Sequence, residues 1–560
     1  MEERRFLLAV ALSLLVLTLY QWLLAPAPKP MRPPEAAPAS TTARSEPSPE
    51  PEPPASAGRK LAPTSVSQPS ISDDAERRVE IEGEESVVAF SNKGARLVSW
   101  RLRRYRDAGD RPEEMVETVP GAPRPLDLET GDTEVDSRLR EALYRPSAEL
   151  IQLGAGPQEL RFQYADSELA AEKWLRFAAD GYLAELGATV HVAGRAMPTR
   201  VLWGPGVGNP TAAEVEVRGY QQPQAVLLAG RGVERVLPET AGTARSVSGS
   251  RWAGVESKYF AALLVPASPA SADVRGIELP AASGGKARLA TLVAVDLGTE
   301  GRVQIYVGPK DHSRLSKLGH ELAQVVPVGE WIGPIVVALM RLFRWVNGYV
   351  GNYGWSVVVL TILISVVMAP FRHYSIVNGL KMAKIAPEMK VIQERYRKIP
   401  MLDPKRQDMN QEMAELYARH GMNMSTQMLV GCLPILLTMP FLIAFYRVLD
   451  VSIELRGAPF LWIGDLSQKD PLFVSPVLMG LSMFLMQKMM PTTMDPAQQR
   501  IMLIMPLVFS VMFFFAPAGL NLYWLVSNIG SIVQQGATMK LLQEKDGRGK
   551  DAGRKERKRG

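Results

Sequence analysis

The chain has 560 residues, a formal net charge of +6, one cysteine and five histidines. The lone Cys432 excludes an intrachain disulfide framework and a cysteine-based zinc site, and the histidines show no metal-ligand spacing such as HExxH. Mean hydropathy is close to neutral at −0.02, an average over apolar runs at both ends and a soluble middle; the basic residues gather beside the apolar runs, a pattern of membrane orientation rather than of a nucleic-acid surface.

Phe6 to Leu24 form one apolar run of 19 residues, enough to span a hydrocarbon core of about 30 Å. A cleaved signal peptide competes with a retained anchor: Ala25-Pro26-Ala27 resembles a cleavage site, but the run exceeds the usual apolar region of about 7–15 residues. Residues 1–25 are expected to be a transmembrane anchor. Residues 26–76, rich in Pro, Ala, Ser and Glu, cannot bury enough apolar surface to offset chain entropy and read as a disordered tether.

From 77 to 328 the pattern changes. VEIEGEESVVAFSN (79–92), ARLVSWRLRRY (95–105), ELRFQYAD (159–166), ATVHVAG (188–194) and RVQIYVGP (302–309) alternate with period two between Gly, Asn and Asp punctuation. That predicts an all-β domain, with one large sandwich as the best architecture.

Residues 329–539 read as a membrane core. Trp331–Val350 predicts an interfacial amphipathic helix. Spans are expected at about 354–371, 427–449, 472–490, 501–516 and 519–535, giving six with the anchor. Several are short and carry Pro434, Pro440 or Pro506, which implies local thinning of the bilayer and neighbours that satisfy the freed backbone groups. Ten Lys/Arg lie between Arg372 and Arg419 and nine from Lys540 onward, against two in 450–471. The positive-inside rule then makes the 372–425 loop and the tail cytoplasmic, both termini inside, and the β-domain outside.

Within that loop, residues 376–421 predict an antiparallel helical hairpin. Ile385, Met389, Ile392, Tyr396 and Ile399 repeat along the first arm, Asp403-Pro404 starts the second, and Gly421 ends it. Met382, Met389, Met409 and Met413 have two readings: a flexible surface for varied apolar clients or the ribosome, or packing between the two arms. The spans hold Thr361, Ser365, Thr438, Gln487, Asn521, Tyr523, Trp524, Ser527, Asn528 and Gln534 but no central carboxylate. Each alone reads as interhelical glue; together they predict a wet cavity. Residues 540–560 read as a disordered basic tail, either a solvated topology signal or a contact to ribosomal RNA. No hydrolase triad, P-loop or metal cluster is visible, so neither an enzyme nor a cofactor is expected.

Six ordered blocks now carry a resemblance. FSNKGARLVSWRLRRYRD (90–107), NYGWSVVVLT (352–361), GCLPILLTMPFLIAFYRVL (431–449), ELRGAPFLWIGDLSQKDP (454–471), MQKMMPTTMDPAQQRIMLIMP (486–506) and PAGLNLYWLVSNIGSIVQQ (517–535) resemble the YidC/Oxa/Alb insertase family, in the branch with a large periplasmic domain. The resemblance implies a multi-domain membrane protein of the inner membrane: a periplasmic β-supersandwich, a five-helix core after the first anchor, and a cytoplasmic hairpin. It implies a polar groove open to cytoplasm and lipid and closed to the periplasm. The partners it implies are nascent membrane proteins, the Sec translocon, and the ribosome and targeting machinery.

One position departs from the family. The groove arginine of its best-known branch lies five residues before the proline of the second span, where this chain has Ser365. Arg372 follows seven residues later, on the same helix face and ~10 Å nearer the cytoplasm. It is expected to supply the groove charge with Thr361, Ser365, Tyr523 and Trp524 beside it, or to be an interfacial anchor. Two other classes remain: a transporter or channel, which lacks its usual intramembrane carboxylates, and a membrane-anchored sugar enzyme built on the sandwich.

Overall fold

The computed structural model describes residues 70–557 except 108, 120, 155, 180, 209–220, 231, 239, 280–287, 298–300, 397–398, 401–402, 404, 422–438 and 490–495. The expected anchor, most of the tether and the first half of the expected span 427–449 lie outside the described residues. Ser67–Thr493 with Met502–Gly560 form one compact unit, which holds the strands and the helices alike. Met1–Val66 with Met494–Ile501 form a second, of which the described part is helical backbone at 496–501.

The β-rich half contains two sheets. β1 (Arg78–Glu82), β2 (Ser86–Ser91), β3 (Arg96–Arg106) and β4 (Pro112–Glu114) form a five-stranded sheet with Leu150–Gln152, in the order β4-β3-β2-β1 and then Leu150–Gln152, which pairs parallel to β1. A fourteen-stranded sheet takes the other strands, paired antiparallel. Alternation fixes which side chains point inward: Leu169–Phe177 buries Leu169, Ala171, Lys173, Leu175 and Phe177. Phe260–Pro266 is buried at every position because it lies in the middle of its sheet with both faces covered. The sheets close on a shared core, with Phe90 against Phe162 at 5.8 Å and Trp100 against Phe177 at 5.9 Å between ring centroids. Helix α1 (Thr133–Glu141) starts where Asp132 accepts from the N–H groups of Glu134 and Val135.

The second half is helical. It comprises α2 (His312–Leu318), α3 (Gly333–Val350), α4 (Tyr353–Arg395), α5 (Lys405–Arg419), α6 (over 439–451), α7 (Val474–Met489), α8 (Pro496–Phe513) and α9 (Ala518–Arg557). Among the described residues α4 is long and apolar enough to cross a membrane; α7 and the Gln499–Phe513 part of α8 are apolar but shorter. Val366, Val367, Leu481, Leu507, Met512 and Val533 stand exposed on α4, α7, α8 and α9. So large an apolar exterior is not a water-facing surface.

Two elements differ from expectation. The second span and the first arm of the hairpin are one helix of 43 residues that runs through Pro370 and Pro387. Each proline removes a single backbone hydrogen bond, which the turns on either side outlast. The basic tail, expected to be irregular, continues α9 as helix to Arg557; its Lys, Arg, Glu and Gln are good helix formers.

The two halves share a core. Leu315, Leu322, Val325 and Val326 lead through Ile332 and then Val336, Leu339 and Met340 of α3 to Ala444, Val448 and Val451 of α6. Ion pairs rim this seam. Arg344 lies 2.9 Å from Asp311, the cap of α2, and 3.7 Å from Glu454. Arg456 meets Glu113 at 2.8 Å with its guanidinium 5.0 Å over the Phe260 ring, and Lys258 lies 3.5 Å from Asp450.

Candidate functional site

The end of the helical half beside the β-domain carries an ordered loop over a buried apolar cluster. The α6–α7 connection folds back on itself, Phe460 and Ile463 exchanging backbone hydrogen bonds at 2.8 and 2.9 Å. Asp470 fixes its far end, accepting from the N–H groups of Leu472 (3.0 Å) and Ser475 (2.6 Å) and from Trp462 Nε1 (3.1 Å). Two further bonds, Ala518 N–H to the Gln468 carbonyl and Gly519 N–H to that of Leu466, tie it to the first turn of α9. Asn352 caps α4 by accepting from Trp355 N–H and donates to the Pro459 carbonyl at 3.1 Å. Gly354 permits the contact of α4 with this loop, since a Cβ there would overlap the Phe460 ring. Phe343, Val357, Leu360, Phe445, Leu455 and Phe513 are among the side chains buried beneath.

Away from that plug the helix contacts turn polar. Asn521 donates to the Phe513 carbonyl at 3.3 Å and lies 3.5 Å from Ser475 Oγ, its own Oδ1 buried without a partner. Asn528 donates to Ser482 Oγ at 3.0 Å, and Ser510 to the Pro476 carbonyl at 2.9 Å. Further along, Gln534 donates to the Ala369 carbonyl at 2.6 Å and His373 Nδ1 meets Thr538 Oγ1 at 3.1 Å. Two donors beside this stripe have no acceptor among the described residues: Arg372 Nη1 and Asn378 Nδ2, both buried atoms. A buried donor without an acceptor marks a place that water or a polar guest would satisfy.

The structure brings some expected site residues together. Ser365 faces Gly530 of α9 at 3.7 Å from where a Cβ would stand. Arg372 and Tyr523 are within electrostatic reach; Tyr523 stacks on Phe445 at 4.3 Å, and half-buried Trp524 meets Phe513 edge-on at 5.8 Å. Thr361 stands apart, 1% exposed, its hydroxyl donating to the Val357 carbonyl of its own helix at 2.6 Å. In the hairpin, Met382, Met389, Met409 and Met413 all join the small core formed with Ile385, Ile392, Leu416 and Tyr417. Arg395 and Tyr396 clasp Glu412 across the arms. His373, Asn378 and Thr538 were not singled out from sequence. Each belongs to an ordinary helical pattern, and only the pairing of α4 with α9 gives it a partner or leaves it without one.

Comparison with known proteins places this architecture. Residues 345–545 match the family model of the 60Kd inner membrane protein, and residues 78–342 match that of the YidC periplasmic domain. The membrane protein insertase YidC of Geobacter sulfurreducens is 32% identical over 462 residues, which cover 80% of this chain and 83% of that one. The protein of the same name from Syntrophus aciditrophicus is 29% identical over 554 residues, covering 95% and 98%. A crystal structure of an active YidC insertase with its first transmembrane domain resolved aligns at a TM-score of 0.34 with 16% identity, over 84% of this chain and 95% of that one. This chain belongs to the family of YidC membrane protein insertases, inner membrane proteins in which a β-rich domain precedes a helical core.

Proposed function

We propose that this protein inserts and helps fold integral proteins of the inner membrane, alone or beside the Sec translocon, without nucleotide hydrolysis. In this reading it has six spans, cytoplasmic termini and a periplasmic β-domain, with domains at 1–25, 26–76, 77–328, 329–539 and 540–560. The observation that carries it is an asymmetry: an apolar plug at the β-domain end of the helices, and buried unpartnered donors, Arg372 Nη1 and Asn378 Nδ2, at the hairpin end. A client segment enters from the cytoplasm with a polar flank that must cross the bilayer. A polar groove beside these donors gives that flank hydrogen-bonding partners and a positive charge that attracts acidic client residues. The apolar part then slides into lipid, driven by burial of its surface at ~25 cal/mol per Å². The hairpin and basic tail are the docking sites for ribosome and targeting machinery.

The test is insertion of a short single-spanning client into proteoliposomes containing only this protein, scored by protease protection. Protection without nucleotide or translocon is expected, falling to background in Arg372→Ala and retained in Arg372→Lys. Full activity of the alanine variant would leave Arg372 as an interfacial anchor. No protection by folded wild-type protein would overturn autonomous insertion.

A further inference from the structure

The start of β3, the loop after β4 and helix α1 line a cavity of about 250 Å³ in the β-domain, with Arg96, Arg124 and Arg140 beside Gly121, Ser137 and Glu141. The charges around it do not cancel locally. Glu141 is held by Lys93 at 2.7 Å. Asp127, almost fully buried behind the wall, accepts both arms of Arg96 at 2.9 and 2.8 Å and the backbone N–H of Arg124 at 3.0 Å. The other two guanidiniums have no such carboxylate. Among the described residues Arg124 makes no ion pair, with Asp127 and Glu76 only within electrostatic reach. Arg140 Nε is buried without an acceptor, 4.0 Å from Asp127, and its Nη2 is 3.8 Å from a Glu129 already gripped by both arms of Arg275. Lys173, wholly buried, donates to the carbonyls of Ala95 and Leu126 at 2.6 Å and feels the field of Asp127 and Arg96.

We propose that this cavity binds a compact phosphate-class oxyanion. Guanidinium forks match the oxygen geometry of such an anion and bind it bidentately; here Arg124 has no ion-pair partner among the described residues, and Arg140 meets carboxylates only at 3.8 and 4.0 Å. The C-terminal turn of α1, which carries Arg140, contributes about half a negative charge and reduces the excess without cancelling it. The volume lies below the ~300–1,000 Å³ of larger organic-ligand pockets, which favours a small ion or a phosphomonoester. The source is soluble rather than a lipid headgroup. Along β3, Arg96 precedes by six residues Leu102, which pairs with Glu113, the partner of Arg456 at the seam. At ~3.3 Å per residue the cavity is ~20 Å from the helical half along that strand.

The experiment is calorimetric titration of inorganic phosphate into the full chain in phosphatidylcholine nanodiscs, with chloride holding ionic strength constant. Saturable binding is expected in wild type, weakened at least tenfold in Arg124→Gln and by a smaller factor in Arg124→Lys. Absence of saturable binding in wild type, or unchanged affinity in Arg124→Gln, overturns the site. Should Arg124→Gln melt early, Arg124→Lys decides: it must weaken binding while melting like wild type, and equal affinity overturns the proposal. Nanodiscs of phosphatidylglycerol separate the sources. The same affinity is expected there, and a several-fold loss by competition would make the headgroup the occupant and overturn the soluble assignment.

Discussion

Lys173 shows what a single inward position can do. Strand alternation places it between Ala171 and Leu175 in the apolar core, where burial pushes its pKa down to about 7 from the usual 10.5, against the pull of Asp127. Above about pH 7 the folded chain has released a proton that the unfolded chain keeps until about 10.5. Lys173 therefore adds stability as pH rises through that window, a contribution complete above 10.5 and lost as pH falls to 7. At ~1.4 kcal/mol per unit, the β-domain should gain roughly 2–3 kcal/mol between pH 7 and 9. Denaturant unfolding followed by the fluorescence of buried Trp100, Trp203 and Trp252 would measure it. Lys173→Met should remove the slope; an unchanged slope would assign it to other groups. Arg372 is the corresponding residue of the helical half: sequence places it on the Ser365 face of a helix, and the neighbouring α9 decides what it meets.

At the scale of elements, the loop between α6 and α7 covers the buried apolar cluster of the helices. Gly354→Ala should drive a methyl into Phe460, an overpacking cost of about 1–3 kcal/mol, lowering the melting temperature; Phe460→Leu in the same chain should restore part of it. No loss in Gly354→Ala would mean that the loop is free to move away. The seam is the other decisive contact. A double-mutant cycle on Glu113→Gln and Arg456→Gln should return a coupling of about 1–3 kcal/mol, because the pair is largely shielded from water and also engages Phe260. The hairpin differs from both. Its heptad is plain in sequence, but the same methionines serve a client surface or a helix–helix contact equally well until the second arm is in place. In the structure they face that arm, so Met389→Ala should loosen the hairpin, read as faster amide exchange over 405–419.

Across the whole molecule, the β-domain core runs without interruption into α3 and α6. Deleting the β-domain should therefore expose Val336, Leu339 and Val448 and lower the melting temperature of what remains, while client insertion in proteoliposomes persists at reduced yield. Complete loss of insertion would mean that the β-domain acts on the client itself.

The sequence by itself determined the division into a β-rich half and an apolar helical half, because period-two alternation and long apolar runs are local properties of the chain. It also determined the family, through six blocks in order; α3 and α7 occupy Gly333–Val350 and Val474–Met489, and Asp403 accepts from Lys405 N–H at 3.0 Å at the start of α5. Tertiary structure decided the rest. That α4 runs through two prolines, that Thr361 bonds its own helix, and that Asn521 and Asn528 meet Ser475 and Ser482 all depend on which helix lies alongside. The seam pairs Glu113 with Arg456 across 343 positions of sequence, and the arginine-lined cavity draws on Arg96, Arg124 and Arg140 from a strand, a loop and a helix. No periodicity records such meetings, since charge and hydrogen-bond partnership between distant segments exists only once the chain has closed on itself.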